Sequence, residues 1–271
     1  ALSSAASDVY KRQLIFSNGN FIFRPWEGCH MQKLLGQVRR CVEDYRMIDA
    51  GDTVAVGVSG GKDSLVLLAG LAQMRRFAEF DYDITAVTID PGFNGVPNNY
   101  DAVARLCEKL DVPFSLVHTQ IGEIVFDIRK EPNPCSLCAN MRRGALHDAA
   151  KAAGCNKLAL GHNNDDVIET FIMNLFNEGR IGCFSPKTHL DRKDITVIRP
   201  LVLAPESQVL SACNRNNLEI VKSVCPADKT TSRQKTKEFL RDMEHKDKGF
   251  KLRMFTALRK SGVDGWGYPD K

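Results

Sequence analysis

No stretch of this chain approaches the ~20 consecutive apolar residues of a membrane-spanning helix, although 43% of its 271 residues are hydrophobic. No positively charged segment leads into an apolar one, so no secretory signal is visible. From both absences the expectation is a soluble cytoplasmic protein without a membrane partner. Internal repeats and low-complexity tracts are also missing. The nine cysteines are odd in number and scattered, which argues against a disulfide framework. Cys-x-x-Cys occurs once, at Cys135 and Cys138, so a closed four-thiolate zinc site lacks a second pair. Net charge is only +4, but it is uneven: Val221 to Lys271 holds 13 Lys and Arg against 7 Asp and Glu, the remainder 24 against 26. That C-terminal basic excess fits a polyanion partner, with a solvated helix face as the plainer reading.

What is present suffices for a large core in one domain, with an appended piece. Residues 1–13 stand apart: Asp8 to Gln13 can be encoded by the transposon end used in sequencing adapters, so residues 1–13 read as non-native, 14–30 as tail and Met31 as a natural start. Apolar residues at helical spacing follow from Met31 to Ile48. The pattern then predicts strands at Thr53–Ser59, Asp83–Asp90, Phe114–Thr119, Lys157–Gly161 and Ile195–Pro200. Helices fall between them near 63–79, 99–110, 121–130, 139–153 and 165–177. Strands alternating with helices predict an α/β fold: a parallel five-stranded Rossmann-like sheet with helices on both faces. After Pro205 the pattern turns helical, giving a tail (1–30), a nucleotide-binding domain with its N-terminal helix (31–205) and a basic helical segment (206–271).

The strand at Thr53 ends in Ser59-Gly60-Gly61-Lys62-Asp63-Ser64, and an apolar helix follows. Strand, glycine turn and helix aim free backbone N–H groups and a helix dipole at an anion. Lys62 adds a point charge, while Asp63 and Ser64 suit helix capping and Asp63 also suits Mg²⁺. Gly57 and Gly61 are too close, and Lys62 is followed by Asp, so this is not a Walker A loop. It resembles instead the PP-loop of the ATP pyrophosphatases, against a plain glycine turn that binds nothing.

Leu160-Gly161-His162-Asn163-Asn164-Asp165-Asp166 follows the fourth strand and opens a helix. Its carboxylates suit either N-capping or a metal beside phosphates. Pro134-Cys135-Ser136-Leu137-Cys138 places two thiols on a loop entering a helix, a spacing suited to a metal, a cluster or dithiol redox chemistry. Cys225 precedes Pro226, as iron–sulfur ligands often do. Cys213 reads as packing, and Cys29, Cys41, Cys107, Cys155 and Cys183 have no partner spacing. A zinc site would need a fourth ligand from His147, His162 or Cys183. Arg142, Arg143 and Arg199 read as phosphate contacts or as structural residues.

Taken in order, Ser-Gly-Gly-Lys-Asp-Ser, Cys-Ser-Leu-Cys-x-x-x-Arg-Arg-Gly, Leu-Gly-His-x-x-Asp-Asp, Ile198-Arg-Pro-Leu201 and Cys225 resemble the tRNA 2-thiocytidine synthetase family, from Met31 to about Leu258. The tRNA lysidine synthetases resemble the PP-loop half but lack the cluster cysteines. The resemblance implies that ATP adenylates the C2 oxygen of an anticodon-loop cytidine in tRNA, and that sulfur delivered through a 4Fe-4S cluster then displaces AMP. It implies ATP, Mg²⁺ and that cluster as cofactors, with tRNA and a sulfur donor such as a cysteine desulfurase as partners and a homodimer as one option. The expected roles are Lys62, Asp63 and Asp166 in catalysis; Ser59, Gly60, Gly61, Lys62, Asp63, Ser64, Gly161 and Asp165 at the nucleotide; and Cys135, Cys138 and Cys225 at the cluster. Where the family often has His-His or His-Tyr, this chain has His162-Asn163-Asn164. The alternatives are a PP-loop sulfurtransferase for another base or a small molecule, and a non-catalytic metal-binding RNA module.

Overall fold

The computed structural model describes residues 13–15, 29–130, 134–222, 224–226 and 232–267. In chain order the strands are β1 (Gln13–Ile15), β2 (Thr53–Gly57), β3 (Asp83–Asp90), β4 (Phe114–His118), β5 (Lys157–Ala159), β6 (Lys187–Leu190) and β7 (Ile195–Ile198). The α-helices are α1 (Cys29–Asp44), α2 (Lys62–Met74), α3 (Asp101–Leu110), α4 (Pro134–Ala152), α5 (Asn164–Asn177), α6 (Glu206–Arg215), α7 (Ser232–Lys246) and α8 (Phe250–Ser261). One sheet runs β1-β4-β3-β2-β5-β7-β6. Its five central strands are parallel, as the sequence predicts, and the antiparallel β1 and β6 flank them.

The chain winds outward from β2 through β3 to β4, then returns to the other side of β2 for β5 and β7. Strand order therefore reverses between β2 and β5, and the loops leaving those strands diverge. Such a switch point opens a crevice at the carboxyl ends of the strands, and both the glycine loop and the His162 loop begin there.

Period-two alternation builds a core on each face. Val54, Val56, Ile84, Ala86 and Ile198 face one core with residues of α1, α2, α3, α5 and α6. Ala55, Val87, Ile89, Ile195 and Val197 face the other, with α4 and the π-helical turn Glu123–Arg129. Helix α2 is buried from Ser64 to Met74, wedged between the sheet and the helices α1, α3 and α6. Leu65, Leu67, Leu68 and Leu71 are each essentially inaccessible, and each contributes roughly 1.5–3 kcal/mol of burial. The helix that presents the glycine loop is thus held rigidly from behind.

Three expectations need correction. Gln13–Ile15, read as the junction of non-native and tail residues, pairs antiparallel with β4; the rest of residues 1–28 lies outside the described residues. The predicted loop carrying Cys135 and Cys138 is instead the start of α4. Pro134 opens that helix, a position where its missing N–H leaves no bond unmade and its fixed φ suits the turn. Strand β6 was not predicted: Lys187-Thr-His-Leu190 is short, half-exposed and gains strand geometry only by pairing with β7.

The segment from Glu206 onward joins the main core. Val209, Ala212, Leu240, Phe255, Leu258 and Trp266 are buried in the same cluster as α1 and α2. Trp266 sits edge-on to Tyr45 and Phe255, and its indole N–H donates to the Phe184 carbonyl at 2.9 Å.

Candidate active site

A cleft of about 800 Å³ opens over the switch point, within the range of small-molecule sites. One wall is the glycine loop and the start of α2, with Ser59, Gly61, Asp63 and Ser64; Gly161 and His162 close one side. Ala139, Arg142, Arg143, Leu146 and His147 of α4 form the opposite wall, and Phe184, Arg199, Thr170 and Arg233 complete it.

The glycine loop is shaped for an anion. Gly60 has φ +82°, and a Cβ there would meet Val221 Cβ at 2.6 Å; only glycine combines that φ with that approach. Gly161 lies against the first turn of α2, where a Cβ would stand 3.0 Å from the Asp63 carbonyl carbon and the Ser64 nitrogen. The N-cap of α2 is Gly61, which has no side chain to satisfy the helix's first N–H groups. Ser64 Oγ donates to the Gly61 carbonyl at 2.9 Å and accepts from the Ser59 N–H at 3.2 Å, which fixes the turn.

Lys62 Nζ lies 2.8 Å from Asp63 Oδ2 and 2.9 Å from Glu206 Oε1. Burial works against its charge, but the two carboxylates more than offset that and hold the ammonium above its ordinary pKa. Asn163, 2% exposed, joins the two motifs. Its amide donates to Asp63 Oδ1 at 2.9 Å, while its Oδ1 accepts from the Asp166 N–H and its own N–H donates to Asp166 Oδ2 at 3.0 Å. That reciprocal capping box starts α5. Asp166 Oδ1 in turn takes Arg233 of α7 at 3.0 Å.

A circuit of charges follows. Arg233 is 3.6 Å from Glu169, Glu169 is 3.8 Å from Lys237, and Lys237 is 3.1 Å from Glu206, which returns to Lys62. Burial pushes the Glu169 carboxyl up to about 7, with Lys237 and Arg233 pulling it back and Asp166 and Glu206 adding to the rise. Asp165, expected at the nucleotide, has its oxygens on the Glu206 N–H and on Lys251, both at 2.7 Å. It ties α5 to α6 and α8, and Asp63 is the carboxylate that lines the cleft.

Cys135 and Cys138 lie three residues apart at the start of α4, hence on one face. Cys138 is buried, Cys135 and Cys225 half-buried, and Cys225 packs against the apolar cluster that contains Cys138. Burial pushes the Cys138 thiol up; Arg142 opposes this, and nearby Cys225 and Cys135 add to it. The backbone brings Cys225 there by laying Val221 over the glycine loop, its N–H donating to the Gly60 carbonyl at 3.0 Å. Among the described residues no group of three His, Cys, Asp or Glu side chains is already arranged to hold a metal ion. The donor type nonetheless fits an iron–sulfur cluster, with three neighbouring cysteines that would hold it as thiolates.

Among the described residues none of the candidates for a fourth, zinc-type ligand forms a metal-holding group with the cysteines; Cys183 has a hydrogen-bond partner, whereas His147 Nε2 and His162 Nδ1 are buried without one. Cys183 is buried and donates to the Val167 carbonyl at 3.4 Å. Burial, helped by Arg199, Arg233 and Arg143, pushes His162 down to about 3, and its ring packs on Phe184 at 4.8 Å. His147 lines the cleft wall. Arg199 caps the Phe184 ring at 4.9 Å and donates to the Ser185 carbonyl at 2.6 Å. Sequence reasoning did not single out Asn163, Glu169, Glu206 or Arg233. The available signal for Asn163 was its place before two aspartates in a helix-opening motif; Glu206 and Arg233 carried none beyond charge.

The PP-loop domain family matches residues 31–242. The tRNA-cytidine(32) 2-sulfurtransferase of Pelobacter propionicus is 39% identical over 230 residues, covering 84% of this chain and 85% of that protein. The protein of the same name from Geobacter metallireducens is 36% identical over 84% and 89%. Among solved structures, the U34-tRNA thiolase NcsA from Methanococcus maripaludis, with its 4Fe-4S cluster, superposes with a TM-score of 0.72 at 26% identity, covering 86% of this chain and 78% of that one. No described helix is long and apolar enough to cross a membrane. With this cleft, this glycine loop and these relatives, the chain belongs to the tRNA-cytidine(32) 2-sulfurtransferase family of PP-loop enzymes.

Proposed function

We propose that this protein uses ATP to replace the C2 oxygen of a tRNA cytidine, the residue at position 32 that its relatives' names specify, with sulfur. The observation that carries the reading is the shared cleft. The glycine loop and α4, the helix that begins with Cys135 and Cys138, line one cavity, the α4 lining starting at Ala139, directly after Cys138.

In this reading the N–H groups of Gly60, Gly61 and the first turn of α2 receive the β- and γ-phosphates, where they align with the helix dipole. Lys62 exchanges its carboxylate partners for phosphate oxygens. Asp63, fixed by Asn163, holds Mg²⁺ on the cleft side. The C2 oxygen attacks the α-phosphorus, the α–β phosphoanhydride bond breaks, and pyrophosphate remains in the loop. A sulfide-level nucleophile then forms the C2–S bond as the C2–O bond breaks and AMP leaves. Cys135, Cys138 and Cys225 would hold a 4Fe-4S cluster, which supplies sulfur at that oxidation level when bound. Arg142 and Arg143 line the cleft from α4, about one turn past Cys138, placed to grip phosphate of nucleotide or RNA.

The test is tRNA-dependent cleavage of ATP to AMP and pyrophosphate by anaerobically purified protein. Cleavage to ADP, or none in the presence of tRNA, would contradict the adenylation step. A second reading, thiolation of a different base, draws support from the likeness to a U34-tRNA thiolase; it would place sulfur on a uridine rather than a cytidine.

A further inference from the structure

We infer that Arg233, carried by the C-terminal helix α7, is a nucleotide-binding residue that takes a phosphate oxygen of ATP from the side of the cleft facing the glycine loop. The inference rests on the ATP-dependent reading of that cleft and adds a residue that neither the glycine loop nor the cysteine motif contains.

Arg233 lines the same cavity as Gly61, Asp63 and Ser64, and its side chain is 40% exposed. Two protein partners set the plane of its guanidinium: Nη1 donates to Asp166 Oδ1 at 3.0 Å and Nη2 to Thr170 Oγ1 at 3.1 Å. Glu169 lies behind it at 3.6 Å. A guanidinium oriented in this way presents its remaining N–H edge as a rigid fork, the geometry suited to phosphate oxygens. The surroundings select an anion. Arg142, Arg143, Arg199 and Arg233 line the cleft against one carboxylate, Asp63, and that carboxylate is paired with Lys62.

The placement has a second consequence. Four residues on, Lys237 holds Glu206, the same carboxylate that holds Lys62. When Lys62 turns to phosphate, Glu206 retains Lys237 as its counter-ion, so α7 stays seated while Arg233 engages the nucleotide. The plain alternative is that Arg233 only latches α7 onto α5 through Asp166.

Affinity for the α,β-methylene analogue of ATP, measured by titration calorimetry with Mg²⁺, separates the two for wild type, Arg233→Ala, Arg233→Lys and Phe239→Ala. Phe239 of α7 packs edge-on against Phe176 of α5 at 5.8 Å, so Phe239→Ala loosens the same helix without changing a charge in the circuit. The expected result is a loss of roughly tenfold or more for Arg233→Ala, a smaller loss for Arg233→Lys, which keeps charge but not the fork, and about threefold or less for Phe239→Ala. Filter binding of tRNA without nucleotide should be equal for wild type and Arg233→Ala. Losses of equal size in Arg233→Ala and Phe239→Ala would overturn the assignment and leave a latch. Weakened tRNA binding with unchanged nucleotide affinity would overturn it too. Should Arg233→Ala not fold, Arg233→Lys with wild-type nucleotide affinity decides against it. Wild-type protein that bound no nucleotide would defeat the PP-loop reading itself.

Discussion

Asn163 offers a sharp test of how the two motifs are joined, because one side chain both caps α5 and bridges to Asp63. Replacing it with alanine removes the cap, worth ~1 kcal/mol. The substitution also removes a hydrogen bond to a carboxylate, worth ~1.5–3 kcal/mol when shielded. Asp63 is 27% exposed, so water recovers part of the second loss, and a total of about 2–3 kcal/mol is expected. Asn163→Asp separates the roles. Aspartate caps as well as asparagine does, but its oxygen would face Asp63 Oδ1 where a 2.9 Å hydrogen bond now lies. Two carboxylates about 4 Å apart repel by ~4 kcal/mol at an effective dielectric near 20. At pH 8 the aspartate variant should therefore be less stable than the alanine variant, and near pH 4 the order should narrow or reverse as the pair takes up a proton. Urea unfolding of both variants at the two pH values reads this directly. An aspartate variant as stable as wild type at pH 8 would mean that only the cap matters and that the bridge to the glycine loop is energetically idle.

Other perturbations reach other parts of the site. Lys62→Ala should weaken ATP binding roughly ten- to a hundred-fold with little loss of fold, since Asp63 keeps Asn163 and Glu206 keeps Lys237; unchanged affinity by calorimetry would remove Lys62 from the phosphate site. Burial pushes the Glu169 carboxyl up to about 7, against 4.5 for an ordinary solvent-exposed glutamate, so the folded state binds the extra proton between those values. Its contribution is complete below about pH 4.5 and is lost as pH rises through 7, at up to ~1.4 kcal/mol per pH unit. Glu169→Gln should flatten that part of the stability–pH curve, and an unchanged slope in urea unfolding would assign the dependence to another group. Exposed Lys235 and Arg241 should contribute to RNA binding, so their joint neutralisation should weaken tRNA affinity and lower its salt dependence by about two charges; an unchanged salt slope would move the RNA surface elsewhere. Lys237, at first sight part of the same basic face, is excluded because it turns inward to Glu206.

The parallel sheet and the glycine loop were legible because their information is local. A β-branched run, two glycines and an apolar helix sit next to one another in sequence, and the physics that joins them is short-range. The start of α4 was misread as a loop because its sequence opens with prolines and cysteines, and Pro134 acts as a helix starter only when the following turn packs. Asn163 was visible but its role was not, because Asp63 lies a hundred residues away and only the switch point between β2 and β5 brings them together. Arg233, Lys237 and Glu206 looked like surface charge. They became a circuit through the docking of α6 on α2 and α7 on α5, which no periodicity in their own segments encodes. Asp165 shows the converse: a motif residue that sequence placed at the nucleotide spends both oxygens on the packing of α6 and α8.

Mass spectrometry of nucleosides from the tRNA of cells that lack this gene, and of the same cells given it back, tests the central claim most directly. The expected result is 2-thiocytidine that is absent without the gene, returns with the intact gene, and fails to return when Lys62 or any of Cys135, Cys138 and Cys225 is replaced by alanine. Tandem digestion should place it in the anticodon loop. Unchanged 2-thiocytidine in the deletion, or full restoration by the cysteine variants, would contradict the account.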